Sequence, residues 1–152
     1  MADSIHGVKV VPKRKIFDDR GGVFHMLRVD DPEFTKFGEI YFSLVYPGVV
    51  KAWHLHSRMA LNYLLVKGSI RLVLFDDRSG SSTRGAIQEI FLDEADSKLV
   101  VVPAGVWNGF KGLGTEPSIV ANCATEPHDP AEISRKPHDD PAIRYDWSQR
   151  HG

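Results

Sequence analysis

The chain has 152 residues, 42% of them hydrophobic and 26% charged, with a formal net charge of −1, the composition of a globular domain with a core of its own. No basic run is concentrated anywhere, so nucleic acid is not an expected partner, and no apolar run approaches a membrane span. The single cysteine, Cys123, rules out an internal disulfide framework and fits a reducing cytoplasm. One cytoplasmic domain spanning residues 1–152 is expected.

In chain order, the first signal is residues 31–37, which have room for one helical turn or two. Residues 40–45 form an extended apolar run that stops at Pro47-Gly48. The run 61–67 meets 70–75 across Lys67-Gly68-Ser69, which predicts a tight hairpin. A solvated loop follows at 76–80, then further extended runs at 86–92, 98–103 and 117–123. Valine, isoleucine and aromatic residues dominate these runs, as a pleated, half-buried surface prefers. Their regular spacing, with a turn between each pair, predicts a β-sandwich or barrel. After about Glu126 the chain becomes rich in His, Asp and Pro, and the segment 126–152 is expected to wrap the surface as a polar tail.

The most informative stretch is His54-Leu55-His56. Side chains alternate along a strand, so two imidazoles one residue apart share a face, and histidine is suited to proton transfer near neutral pH. The surrounding pattern resembles a cupin. Gly48 stands five residues before the His-x-His pair and Gly68 closes the motif, while a second motif reads Pro103-Ala-Gly105-Val-Trp-Asn108. The resemblance implies an all-β, cupin-type double-stranded β-helix (jelly roll) with few short helices. Two of the usual four metal ligands are missing: Leu61 or Ala60 stands where a glutamate is usual, and Asn108 where a histidine is usual. Two neutral imidazoles alone hold a divalent ion weakly, so neither metal nor cofactor is expected.

Longer segments make the resemblance more specific. Phe17-Asp-Asp-Arg-Gly-Gly-Val-Phe24, Gly48-Val-Val-Lys-Ala-Trp-His54, Asp76-Asp-Arg78, Val102-Pro-Ala-Gly-Val-Trp-Asn-Gly-Phe110 and Ile143-Arg-Tyr-Asp-Trp147 are similar, in order, to segments of the dTDP-4-dehydrorhamnose 3,5-epimerase family. That family works on nucleotide-linked keto-sugars without metal. The resemblance implies a homodimeric epimerase of a nucleotide-diphosphate 4-keto-sugar, in polysaccharide or deoxysugar synthesis, with His54 as general base. A 4-keto group acidifies the protons on C3 and C5; a base removes one, cations steady the enolate, and a donor on the opposite ring face returns a proton.

Several family partners of the base are absent. Its aspartate lies beyond the Ile-Arg-Tyr-Asp-Trp segment, its lysine falls on Leu61, its tyrosine acid falls near Ala121, and a nucleotide-binding glutamate becomes His25. Lys51 replaces an arginine, keeping the charge but losing the planar fork. Tyr63 shares the parity of position 61 and is the candidate for donor or oxyanion contact. Substrate contacts are expected from Arg20, Phe24, Lys51, His56 and Asn108. The rival readings are a non-catalytic cupin that binds nucleotide-sugars, and a metal-dependent cupin using His54 and His56.

Overall fold

The structure, a computed structural model, describes residues 4–148; residues 1–3 and 149–152, the end of the expected tail among them, lie outside it. Among the described residues the strands are β1 (Lys9–Pro12), β2 (Lys15–Asp18), β3 (Gly21–Phe24), β4 (Glu39–Val45), β5 (Val50–His56), β6 (Leu61–Lys67), β7 (Ser69–Asp76), β8 (Ile87–Asp93), β9 (Lys98–Val102), β10 (Val106–Gly112), β11 (Ser118–Ala124) and β12 (Ile133–Arg135). Sheet one runs β1-β9-β6-β11-β4, sheet two runs β12-β5-β10-β7-β8, and β2-β3 is a separate hairpin. The strand pairs within the sheets are antiparallel. This is the all-β jelly roll that the cupin resemblance implies, without the few short helices.

The expected helical turns at 31–37 are not there, and no helix occurs among the described residues. None is therefore long and apolar enough to cross a membrane. The segment makes a single turn, with Phe34 N–H donating to the Asp31 carbonyl. The Asp31 carboxylate accepts from Arg28 N–H and from Lys13 Nζ. Seven residues are too few to repay helix nucleation without an apolar stripe to bury, and here the aspartate bonds its neighbours instead.

The hairpin expected at Gly68 is a different structure. β6 and β7 are separated by that one residue, yet β6 lies in sheet one and β7 in sheet two. Gly68 has φ +88°, and a Cβ there would come within 2.2 Å of Ser118 Oγ. The Ser118 hydroxyl receives Ser69 N–H and donates to the Ser69 carbonyl, which closes the corner. A positive φ without a side chain is what glycine permits, and the turn here sends the chain from one sheet to the other.

Between the sheets, Leu61, Leu65, Val100, Val102 and Val120 of sheet one pack against Ile70, Leu72, Leu74, Leu92 and Phe110 of sheet two. The outer face of sheet two carries a second cluster, in which Trp53, Val73 and Trp107 are covered by Ile143 and Trp147 from the C-terminal segment. That segment is also tied by polar contacts: the Trp147 carbonyl accepts from Arg71 Nη2 and Lys111 Nζ, and the Tyr145 hydroxyl donates to Glu89. The loop expected to be solvated at 76–80 begins with a fully buried carboxylate. Asp76 accepts from Arg78, Ser81 and Thr83 side chains, and those bonds outweigh the burial that would raise its pKa, holding it far below the usual carboxylate range.

Candidate active site

One end of the space between the sheets is left open as a cavity of about 780 Å³. Sheet two supplies one wall, with Lys51, His54 and His56 from β5, Phe110 from β10 and Arg135 from β12; sheet one supplies the other, with Glu39, Tyr41 and Ser43 from β4 and Tyr63 from β6. Met59 and His128 stand on connecting segments at its border. The parity argument for β5 therefore succeeds. His54 and His56 enter the cavity while the intervening and preceding side chains, Leu55 and Trp53, pack into the outer cluster.

The two histidines have different surroundings. His56 is 8% exposed, and its Nδ1 is bonded to the Glu132 carboxylate. Glu132 is itself buried and accepts two backbone N–H groups, from Arg58 and Met59. Burial would raise the Glu132 carboxyl, but the bonds from His56, Arg58 and Met59 prevail and keep it below its ordinary value. His54 pairs with no carboxylate among the described residues. Burial first, then the positive charges of Arg135, His56 and Lys51, hold its imidazole below the usual histidine pKa of 6.5. At neutral pH His54 is thus an uncharged base in a cavity rich in cations.

Lys51 reaches the cavity but is also a bridge between the sheets, donating to Ser43 Oγ at 3.1 Å and to the Leu44 carbonyl at 2.6 Å. Tyr63 lines the cavity, with its hydroxyl donated to Asn108 Oδ1 at 2.9 Å. Asn108 in turn donates Nδ2 to the His54 carbonyl. Its amide is committed at both ends, it is 1% exposed, and it does not line the cavity. The expected substrate contact from Asn108 is thus replaced by a structural one: it ties Tyr63 to the strand that carries His54. Burial, with Tyr41 nearby, pushes the Tyr63 phenol well above its ordinary value.

Arg20 and Phe24 are not brought to this cavity. Arg20 sits on the turn of the β2-β3 hairpin, largely exposed, and pairs with Asp18. Phe24 meets Phe17 edge to face and lies under Lys15 Nζ. The hairpin is a sheet of its own, so nothing in this chain's pairing carries these residues to the space between the large sheets.

The residues at the four cupin ligand positions do not form a donor set. Leu61 belongs to the core, Asn108 is spent on Tyr63 and His54, and His56 is bonded to Glu132. Among the described residues no group of three His, Cys, Asp or Glu side chains is arranged to hold a metal ion.

Tyr41 and Arg135, which line the cavity, and Glu132, which holds His56, went unread in the sequence. Tyr41 sits within an apolar run, and only its pairing with Asn122 assigns it to the inner face. Glu132 and Arg135 lie in the segment expected to wrap the surface as a polar tail. The short alternation Ile133-Ser134-Arg135, which pairs with β5, was their only signal.

Two antiparallel sheets around a cavity of imidazole, phenol and cationic groups define a cupin-type jelly roll equipped for acid–base chemistry. Comparison with known proteins makes this specific. The sequence profile of the dTDP-4-dehydrorhamnose 3,5-epimerase family matches residues 2–151. The chain is 36% identical over 124 residues to the probable low-salt glycan biosynthesis epimerase Agl13 of Haloferax volcanii, covering 80% of each chain. It is 35% identical over 113 residues to the spore coat polysaccharide biosynthesis protein SpsL of Bacillus subtilis, covering 74% of this chain and 75% of that one. A crystal structure of a dTDP sugar isomerase from Desulfovibrio desulfuricans G20 superposes with a TM-score of 0.94 at 40% identity, covering 97% of this chain and 94% of the other. The chain belongs to the dTDP-4-dehydrorhamnose 3,5-epimerase family and is a sugar epimerase.

Proposed function

We propose that the substrate is a nucleotide-diphosphate 4-keto-sugar, used in polysaccharide or deoxysugar synthesis in the cytoplasm, and that His54 removes the proton from the carbon beside its ketone. The observation that carries this reading is the state of His54: an imidazole held uncharged by burial and by Arg135, His56 and Lys51, in a cavity of about 780 Å³. The cations that lower its pKa also favour the enolate that forms when it takes a proton. His56 extends the same face of β5 and contacts the substrate beside it, and Lys51 has one proton left for an anionic oxygen after its two bonds to β4. The names of the Haloferax and Bacillus relatives, which place them in glycan and polysaccharide synthesis, support the same pathway class. Incubation with dTDP-4-keto-6-deoxyglucose in deuterated water is the test. Deuterium is expected at C3 or C5 of a product inverted at that carbon. Binding of the nucleotide-sugar without any label would leave the non-catalytic binding module in its place.

We also propose a homodimer. β4 is an edge strand of sheet one, and its outward side chains Ile40, Phe42 and Leu44 are 53%, 66% and 45% exposed, an apolar stripe of the kind that marks an interface. Phe17, Val23 and Phe24 add a second exposed apolar patch on the hairpin. A partner copy would give Arg20 and Phe24 a cavity to serve, with the guanidinium on phosphate and the ring on the base. Sedimentation equilibrium is expected to return twice the 17.0 kDa chain mass, and Phe42→Asp to return the monomer. A wild-type monomer at micromolar concentration would remove both the dimer and the roles of Arg20 and Phe24.

A further inference from the structure

Inversion at a carbon requires a second group, on the ring face opposite the base. His54 lies on the sheet-two wall, so the donor must come from sheet one, and two phenols stand there. β4, β11 and β6 place Tyr41, Asn122 and Tyr63 side by side on one row of the inner face. The hydroxyl proton of Tyr63 is already given to Asn108.

Tyr41 is oriented differently. Asn122 Oδ1 accepts the backbone N–H of Asn62 at 3.1 Å, which fixes the amide so that Nδ2 donates to the Tyr41 oxygen at 2.9 Å. An oxygen that already receives a hydrogen bond has its own O–H left to give. No protein acceptor takes it among the described residues, and Tyr41 is 40% exposed on the cavity wall. Ala121, near the position where the family resemblance places a tyrosine, cannot donate a proton and pairs in register with Phe42, on the opposite face of the sheet.

Building on the epimerase reading, we propose that Tyr41 is the catalytic acid that returns the proton, with Asn122 as its positioning residue. His54 takes the proton from the carbon beside the ketone, and the electron pair of that C–H bond moves into the enolate. Tyr41 then gives its phenolic proton to the other face of the same carbon as the ketone re-forms. The tyrosinate recovers a proton from water in the open cavity, and the His54 imidazolium releases one. Burial raises the Tyr41 phenol above its ordinary value, so it is protonated at the start of each turnover.

The test is Tyr41→Phe, assayed with dTDP-4-keto-6-deoxyglucose in deuterated water by NMR. Two rates are read together: deuterium entering the substrate with its configuration kept, and formation of the inverted product. Exchange is expected to continue, since His54 can remove a proton and return a deuteron on its own face. Inversion is expected to fall at least about 100-fold, the scale of a lost general acid. Tyr41→Leu repeats the readout if the Phe variant does not fold, with circular dichroism as the check. Inversion at the wild-type rate overturns the proposal, and so does joint loss of exchange and inversion in a folded variant that still binds dTDP. Wild-type protein that neither exchanges nor inverts would bring down the epimerase reading itself, which is a distinct result.

Discussion

His54→Asn is expected to lower the rate of epimerisation about 1000-fold, within the range that a positioned general base contributes. The loss should fall on kcat, with the apparent affinity for nucleotide-sugar changed by no more than a few-fold, because the neighbouring Lys51, His56 and Arg135 remain in the cavity. Asparagine keeps a polar group of similar reach but has no basic nitrogen. A variant retaining more than about a tenth of wild-type turnover would show that another group takes the proton. The pH profile checks the same assignment. The base acts in its neutral form, and the folded protein holds His54 below 6.5, so kcat/KM is expected to stay level as pH falls through 7 and to drop only below the ordinary histidine value. Arg135→Gln removes one of the charges that depress it, and the acid limb should move upward, toward 6.5.

The second large effect is one of stability. Glu132 holds three donors from one stretch at the end of β5: the His56 imidazole and the N–H groups of Arg58 and Met59. Truncation by Glu132→Ala breaks a buried pair and strands all three, at a cost of about 3–5 kcal/mol, a large share of the stability of a domain this size. Glu132→Gln keeps an acceptor and should cost less than half as much. Urea unfolding at pH 7 measures both, and a loss under about 1 kcal/mol for the alanine variant would contradict the contacts. The Glu132 pKa is lowered on folding, so its contribution is present above the ordinary value of 4.5 and is lost as pH falls below it. The acid-unfolding transition of Glu132→Gln should therefore be shallower than that of the wild type across that range.

The strands that could be read in advance are those whose residues speak for themselves. The apolar, β-branched runs that became β4, β6, β7, β8, β9 and β11 are bounded by turn residues within one or two positions of their observed ends. β12 is three residues long and β2 and β3 four each, too short for alternation to stand out. The corner at Gly68 illustrates a deeper limit. A lone glycine between two extended runs has one local conformation in view, and whether the strands pair or part is decided by Ser118, fifty residues on. The site divides the same way. His54 and His56 stand two positions apart on one strand, so parity alone placed them together, whereas Lys51, of opposite parity, lines the same cavity across a shift in the β5–β10 register. Tyr41 was hidden because the face of β4 is assigned by its partner strand, and Glu132 because a carboxylate in a polar segment is buried only by contacts seventy-odd residues away.

Trp53 projects from β5, the strand that carries His54, toward the C-terminal segment. It is fully buried on the far side of β5 from His54, against Trp147 at a ring separation of 5.1 Å and Tyr145 at 6.2 Å. The proposed base is thus a side chain on a plank braced from behind, and the brace is made by a segment that does not line the cavity. Substitutions at Ile143, Tyr145 or Trp147 would let β5 shift by fractions of an ångström and misplace the base against the ring. Relatives that differ in this C-terminal brace could then differ in catalytic rate while presenting identical cavities.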